Sequence, residues 1–188
     1  MATRVKEGLN GVDVNQLVET IDHIKEQPEL AKFQFRAHTN WISGAHSRTQ
    51  IKGFYGAGQE DSSREQSFVL DRDEPPVLLG QNKGPNAVES VLHALASCLA
   101  VGFVYNAAAQ DIEVRDLSFE VEGNLDLHGF LGLSDQVRPG YQDITVRYHV
   151  DADAPREKLL ELCEYAQQTS PVMDVLTNPV DINVEMAN

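Results

Sequence analysis

Apolar residues recur at helical spacing over residues 13–27, DVNQLVETIDHIKEQ. Val14, Leu17, Val18, Ile21 and Ile24 share one face, Asp13 stands where an N-cap belongs, and Pro28 ends the run. The spacing predicts an amphipathic helix. We read it as an N-terminal extension, residues 1–30, docked on a main domain of residues 31–188.

Beyond residue 30 the period shortens to two. In FQFRAHTNW, Phe33, Phe35, Ala37, Thr39 and Trp41 alternate with polar residues, which predicts a strand. A turn around Gly44 returns the chain as RTQIKGF, and QSFVLD (66–71) is a further short strand. Gly56 and Gly58 in GFYGAGQE read as a turn, and DRDEPPVLLGQNKGPN reads as a loop punctuated by Pro75, Pro76, Gly80, Gly84 and Pro85. A long apolar helix follows, from about Asn86 to Ala108. Strands are then predicted at Leu117–Phe119–Val121, Ile144–Val146–Tyr148–Val150 and Val180–Ile182–Val184–Met186. Between the last two lies a helix from about Ala154 to Thr169, with Asp153 as its cap and Pro155 in its first turn. Its inward stripe is Leu159, Leu162, Cys163 and Ala166, with Ser170 next in phase. Strands that cluster rather than alternate strictly with helices predict an α+β fold with mostly antiparallel sheets.

The long helix is apolar nearly all round, which predicts burial on several sides. Glu89, His93 and Ser97 form one polar stripe, while Cys98 points elsewhere, toward Val91, Ala94, Leu95, Val101, Gly102 and Tyr105. A thiol among such groups is held protonated, so periodicity favours a space-filling cysteine over a nucleophile, and both readings stay open here.

Composition narrows the function classes. The formal net charge of −14 repels phosphate backbones and anionic membranes, which argues against nucleic-acid and membrane partners and favours neutral substrates. The N-terminus lacks the apolar core of a secretory signal, and we read no uninterrupted apolar run of ~18 residues for a membrane span. Two cysteines without such a signal fit a reducing cytoplasm. The remaining histidines, His23, His38, His128 and His149, show no metal-ligand spacing, and neither CxxC, GxGxxG nor GxSxG occurs, so no metal or cofactor is expected.

GPNAVESVLHALASCLA resembles the central-helix signature of the OsmC/Ohr family, the osmotically inducible and organic-hydroperoxide-resistance proteins. The segments around it fit the same resemblance: NWISG and DEPPVLLG before it, VEGNLDLHGFLGL and QDITVRYHV after it, and the ending SPVMDVLTNPVDINV. Residues 33–186 are covered, and the extra N-terminal helix with the SPV ending resembles one branch of OsmC-like proteins. The resemblance implies two long helices back to back between antiparallel sheets in an intertwined homodimer. It also implies a peroxiredoxin-like chemistry serving oxidative stress defence. A cysteine on the first helix attacks an organic hydroperoxide and becomes a sulfenic acid. A second cysteine closes a disulfide, and a dithiol resets it.

Carried over residue by residue, Cys98 matches the reactive cysteine. Glu89 resembles the helix-start Glu of many OsmC-like sequences, although in the hydroperoxide-resistance members that Glu falls one position earlier, at Val88 here. On an ideal helix Glu89 is ~13 Å along the axis from Cys98, and a favourable charge in the first turn of the helix is its alternative role. The ending aligned without gaps puts Ser170 where the resolving cysteine belongs. Cys163 lies ~10 Å earlier along that helix and would pair with Cys98 only if the helices crossed differently, its alternative role being packing. The activating Arg falls within SGAHSR, with Ala45 near its position and Arg48 just after. Arg48 and Arg36 are the candidates, with solvated strand residues as the alternative.

The expectation is therefore an OsmC-like homodimer acting as a thiol-dependent peroxidase on small organic hydroperoxides, through Cys98 with Glu89 and Arg48, and reset by an external thiol reductant. The alternative is a non-catalytic OsmC-fold protein that binds a small apolar ligand in the dimer crevice. A hydrolase using Ser97 or Ser170 with His93 is a third, weaker reading.

Overall fold

The computed structural model describes residues 8–187, which divide into two compact units. One comprises Asp13–Val91; the other joins the segment ending at Val12 to the chain from Leu92 onward. All strand pairs in both are antiparallel, with separate helices, so the fold is α+β.

In the first unit, α1 (Val14–Glu26) starts at Asp13, whose carboxylate accepts the Gln16 N–H and so satisfies one of the helix's orphan donors. Pro28 ends it and opens a single 3-10 turn, Pro28–Ala31. A three-stranded sheet has the order β1 (His38–Ser43), β2 (His46–Ile51), β5 (Phe68–Arg72). Gly44, at φ +56°, makes the tight β1–β2 turn. A hairpin of β3 (Phe54–Gly56) and β4 (Gln59–Asp61) turns through Ala57 and Gly58, both at positive φ, as a two-residue hairpin turn requires.

The continuous strand expected over Phe33–Trp41 is split. Gln34 bridges to Tyr55 of β3, while β1 begins only at His38. The cause is aromatic packing. Phe33 stacks on Phe54 and Phe35 packs against it at a tilt, with ring centroids 6.2 and 5.4 Å away, and a Cβ on Gly56 would lie 2.2 Å from the Phe33 ring. This side of the chain is thereby tied to β3 before it joins the sheet.

The loop after β5 is built on Asp73. Its buried carboxylate accepts the backbone N–H groups of Glu74, Gln81 and Lys83. Burial opposes ionisation of Asp73, but these three donors hold its carboxyl below the usual aspartate range. Gly80 and Gly84 let the loop close on itself, since a Cβ there would collide with the carbonyls of Glu74 and Asp71. The loop delivers the chain to α2 (Ala87–Ala109), which opens with a capping box. The Asn86 side chain accepts the Glu89 N–H and Glu89 accepts the Asn86 N–H, each at 2.8 Å.

In the second unit, Leu95, Leu99, Phe103 and Ala107, spaced by four, make the buried stripe of α2. Phe103 and Ala107 pack with Ile112 and with Leu162 and Ala166 of α4 (Arg156–Gln168), while Leu159 and Cys163 lie at the edge of the same core. A hairpin of β6 (Val114–Asn124) and β7 (Asp143–Ala152) covers it, with Val114, Leu117, Tyr148 and Val150 turned inward. The short α3 (Leu127–Phe130) lies in the connection. The N-terminal segment is tied in by Asn10, whose side chain donates to the Ile112 carbonyl and accepts the Val114 N–H.

Three expectations change in this unit. The cap of α4 is Pro155 rather than Asp153, whose N–H is used by the Glu113 carbonyl. A further helix, α5 (Pro171–Thr177), follows α4. The strand expected at Val180–Met186 does not form: the segment has no regular structure and no ladder, and Val184 and Met186 are 86% and 88% exposed. Alternation marks a chain that fits a sheet, but a strand exists only where an edge receives it. Among the described residues α2 is long and apolar enough to cross a membrane by length and composition, although Ser90, His93, Ser97 and Asn106 interrupt its apolar run. It nevertheless carries the packed stripe of a core helix.

Candidate functional site

Cys98 lies half-buried on α2, one turn before Gly102. Gly102 is the point of close approach between α2 and α4: a Cβ on it would sit 3.4 Å from the Ala166 Cβ. Four residues beyond Ala166, just past the end of α4, stands Ser170, 4% exposed. Its Oγ–H donates to Cys98 Sγ at 3.1 Å, and its Oγ accepts the Met173 N–H at 3.1 Å. Ser170 is thus both the N-cap of α5 and the direct partner of the sulfur.

Cys163 is a different kind of thiol. It borders the core beside Tyr148, and burial, reinforced by Glu164, pushes its thiol up and keeps it protonated. Burial, with Cys163 adding to it, also pushes the Tyr148 phenol well above its ordinary range, and its hydroxyl has no hydrogen-bond partner among the described residues. The two cysteines are not joined.

Glu89 and Arg48 belong to the first unit, and each has local partners. Glu89 closes the α2 capping box. Arg48, on β2, lies opposite Asp71 of β5 and donates to it through Nε at 3.0 Å and Nη2 at 3.3 Å. The buried His46 donates through its Nε2–H to the same carboxylate, 2.7 Å away. His46 first, then Arg48, holds the Asp71 carboxyl below its usual range. Arg36, the other candidate cation, forms a two-pronged pair with Glu60. Ser97 and His93 touch at 3.5 Å and are exposed, and neither bonds to a carboxylate among the described residues, so no hydrolytic triad is assembled there.

Two features escaped the sequence reading. The Asp71–His46–Arg48 cluster depends on strand register, which no local pattern encodes. The α5 cap did have a signal: Ser followed by Pro, at the N-cap and first helical positions, marks a helix start.

A family profile described as OsmC-like protein matches residues 80–185, the stretch that carries α2, the β6–β7 hairpin, α4 and α5. The chain belongs to the OsmC family. Among solved structures, an OsmC-like protein from Mycoplasma pneumoniae superposes with a TM-score of 0.60 at 14% identity, covering 78% of this chain and 89% of that one. An organic hydroperoxide resistance protein, OsmC, from Legionella pneumophila does so with a TM-score of 0.54 at 17% identity, covering 79% and 92%. At such identities the likeness establishes the OsmC fold. No curated protein matches the sequence. The aligned position that the OsmC resemblance assigns to a resolving cysteine is held by Ser170, and its oxygen stands on the Cys98 sulfur.

Proposed function

We propose that Cys98 is the peroxidatic sulfur of a thiol-dependent peroxidase acting on small organic hydroperoxides. The observation that carries this reading is the Ser170–Cys98 contact: the residue at the family's resolving position meets the sulfur on the central helix. Cys98 is also half-buried rather than sealed in the core, unlike Leu95 and Leu99 beside it. In the reaction the Cys98 thiolate attacks one oxygen of the O–O bond. The S–O bond forms, the O–O bond breaks, and the alkoxide takes a proton and leaves as the alcohol. Ser170 cannot resolve the resulting sulfenic acid. An external thiol condenses with it, releasing water, and a second thiol displaces the first as a disulfide and restores Cys98.

The chemistry is assigned to Cys98. Glu89 and Arg48 carry family roles by resemblance only, and their own bonds favour helix capping and strand pairing. The acting species is proposed to be a cytoplasmic homodimer. Trp41, 74% exposed, and the exposed Val180, Ile182, Val184 and Met186 offer apolar surface for a second copy to cover. The alternative, an apolar-ligand-binding OsmC protein without catalysis, draws on the exposed Phe33 and Phe35 beside Phe54.

Substoichiometric cumene hydroperoxide followed by a sulfenic-acid probe tests the proposal. Label should appear on Cys98 and vanish in Cys98→Ser. Label that persists in that variant removes Cys98 from the role, and absence of peroxide consumption leaves the binding protein.

A further inference from the structure

We infer that Ser170 is a positioning residue for Cys98, an aimed hydrogen-bond donor that favours the thiolate in place of the covalent partner the family position would supply. A serine hydroxyl has one proton and two lone pairs. Here the Met173 N–H occupies a lone pair, and the proton is directed to Cys98 Sγ. Because Ser170 is 4% exposed, water competes little for that proton. The position of the Ser170 oxygen is thus held from the start of α5 by the Met173 N–H.

An O–H···S bond to a neutral thiol is weak, whereas the same bond to a thiolate is charge-assisted. A donor already in place thus stabilises the anion more than the thiol. The close approach of α2 and α4 at Gly102 and Ala166, one turn away, sets the separation at which this bond forms. Neither Arg48 nor Glu89 is needed for it. The catalytic meaning of this inference rests on the peroxidase reading, but the hydrogen bond itself can be tested without peroxide.

The test is the pH profile of alkylation by monobromobimane, a neutral reagent that reads thiolate, in a Cys163→Ala background where Cys98 is the remaining thiol. Ser170→Ala and Ser170→Gly should move the profile to higher pH and slow alkylation near neutrality by about five- to tenfold, while Ser170→Thr should restore it. Glycine is a good N-cap, so a role confined to capping α5 would leave Ser170→Gly at the parent rate and overturn the inference. Unchanged profiles in both hydroxyl-less variants, or no rescue by threonine, would overturn it equally. A shifted profile in a protein that consumes no hydroperoxide would uphold Ser170 as the donor and defeat the peroxidase reading alone.

Discussion

Gly102 meets Ala166 one helical turn from the place where Cys98 meets Ser170. The two contacts are successive rungs of one packing seam, so helix separation at the first sets bond length at the second. A methyl group at Gly102 makes ordinary contact with Ala166. Gly102→Ala should therefore be neutral or stabilising by up to about 1 kcal/mol from helix propensity. Gly102→Leu should overpack the seam and cost about 1–3 kcal/mol in urea denaturation. It should also slow alkylation of Cys98 as loss of the Ser170 hydroxyl does. Wild-type alkylation in a destabilised Gly102→Leu would show that the seam does not control the bond.

A thiol in place of the Ser170 hydroxyl would begin near the Cys98 sulfur, since the present Oγ–Sγ distance of 3.1 Å is about 1 Å longer than a disulfide bond. Ser170→Cys treated with hydroperoxide should lose two hydrogens in intact mass. The wild type should instead gain oxygen or a reductant adduct. Loss of two hydrogens in the wild type would mean that Cys98 reaches Cys163, contrary to the arrangement seen here.

Asp73 ties the loop before α2 through three backbone donors, and its folded carboxyl is held below the usual value. The sign follows from linkage. Its contribution is complete above the unfolded aspartate value, about 3.9, and is lost as pH falls through the lower folded value. Asp73→Asn should melt below the wild type at neutral pH, and the gap should close in acid. A gap that is constant with pH would show that the charge is not what the loop needs.

Tyr148 has the opposite sign. Its phenol is pushed up by burial first and by Cys163 second, so the folded state holds the proton more tightly than the unfolded chain. Its contribution is present below the unfolded value, about 10, and lost above it. Tyr148→Phe removes a hydroxyl that is buried without a partner among the described residues. It should match or exceed wild-type stability by about 1–2 kcal/mol and lose part of the alkaline sensitivity. Thermal melts at neutral and alkaline pH measure both, and a variant less stable at neutral pH would show that the hydroxyl is satisfied in solution.

Residues 87–109 and 156–168 form helices, and 114–124 and 143–152 form strands, close to where the residue pattern places them. Those choices depend on side chains a few positions apart, and the chain determines them locally. The OsmC resemblance likewise named Cys98 and put Ser170 at the matching position of the second helix. The amphipathic stripe Leu159, Leu162, Cys163, Ala166 and Ser170 already pointed inward. What no local pattern contains is the meeting of partners far apart in sequence. Cys98 and Ser170 are separated by 72 positions, and Arg48 and Asp71 by 23. The packing of Gly102 on Ala166 decides the first pair, and the β2–β5 register decides the second. The same reason explains the one strand that does not form. Val180–Met186 has the alternation of a strand, but pairing is a property of two edges, and only the folded neighbours decide whether a second edge is there.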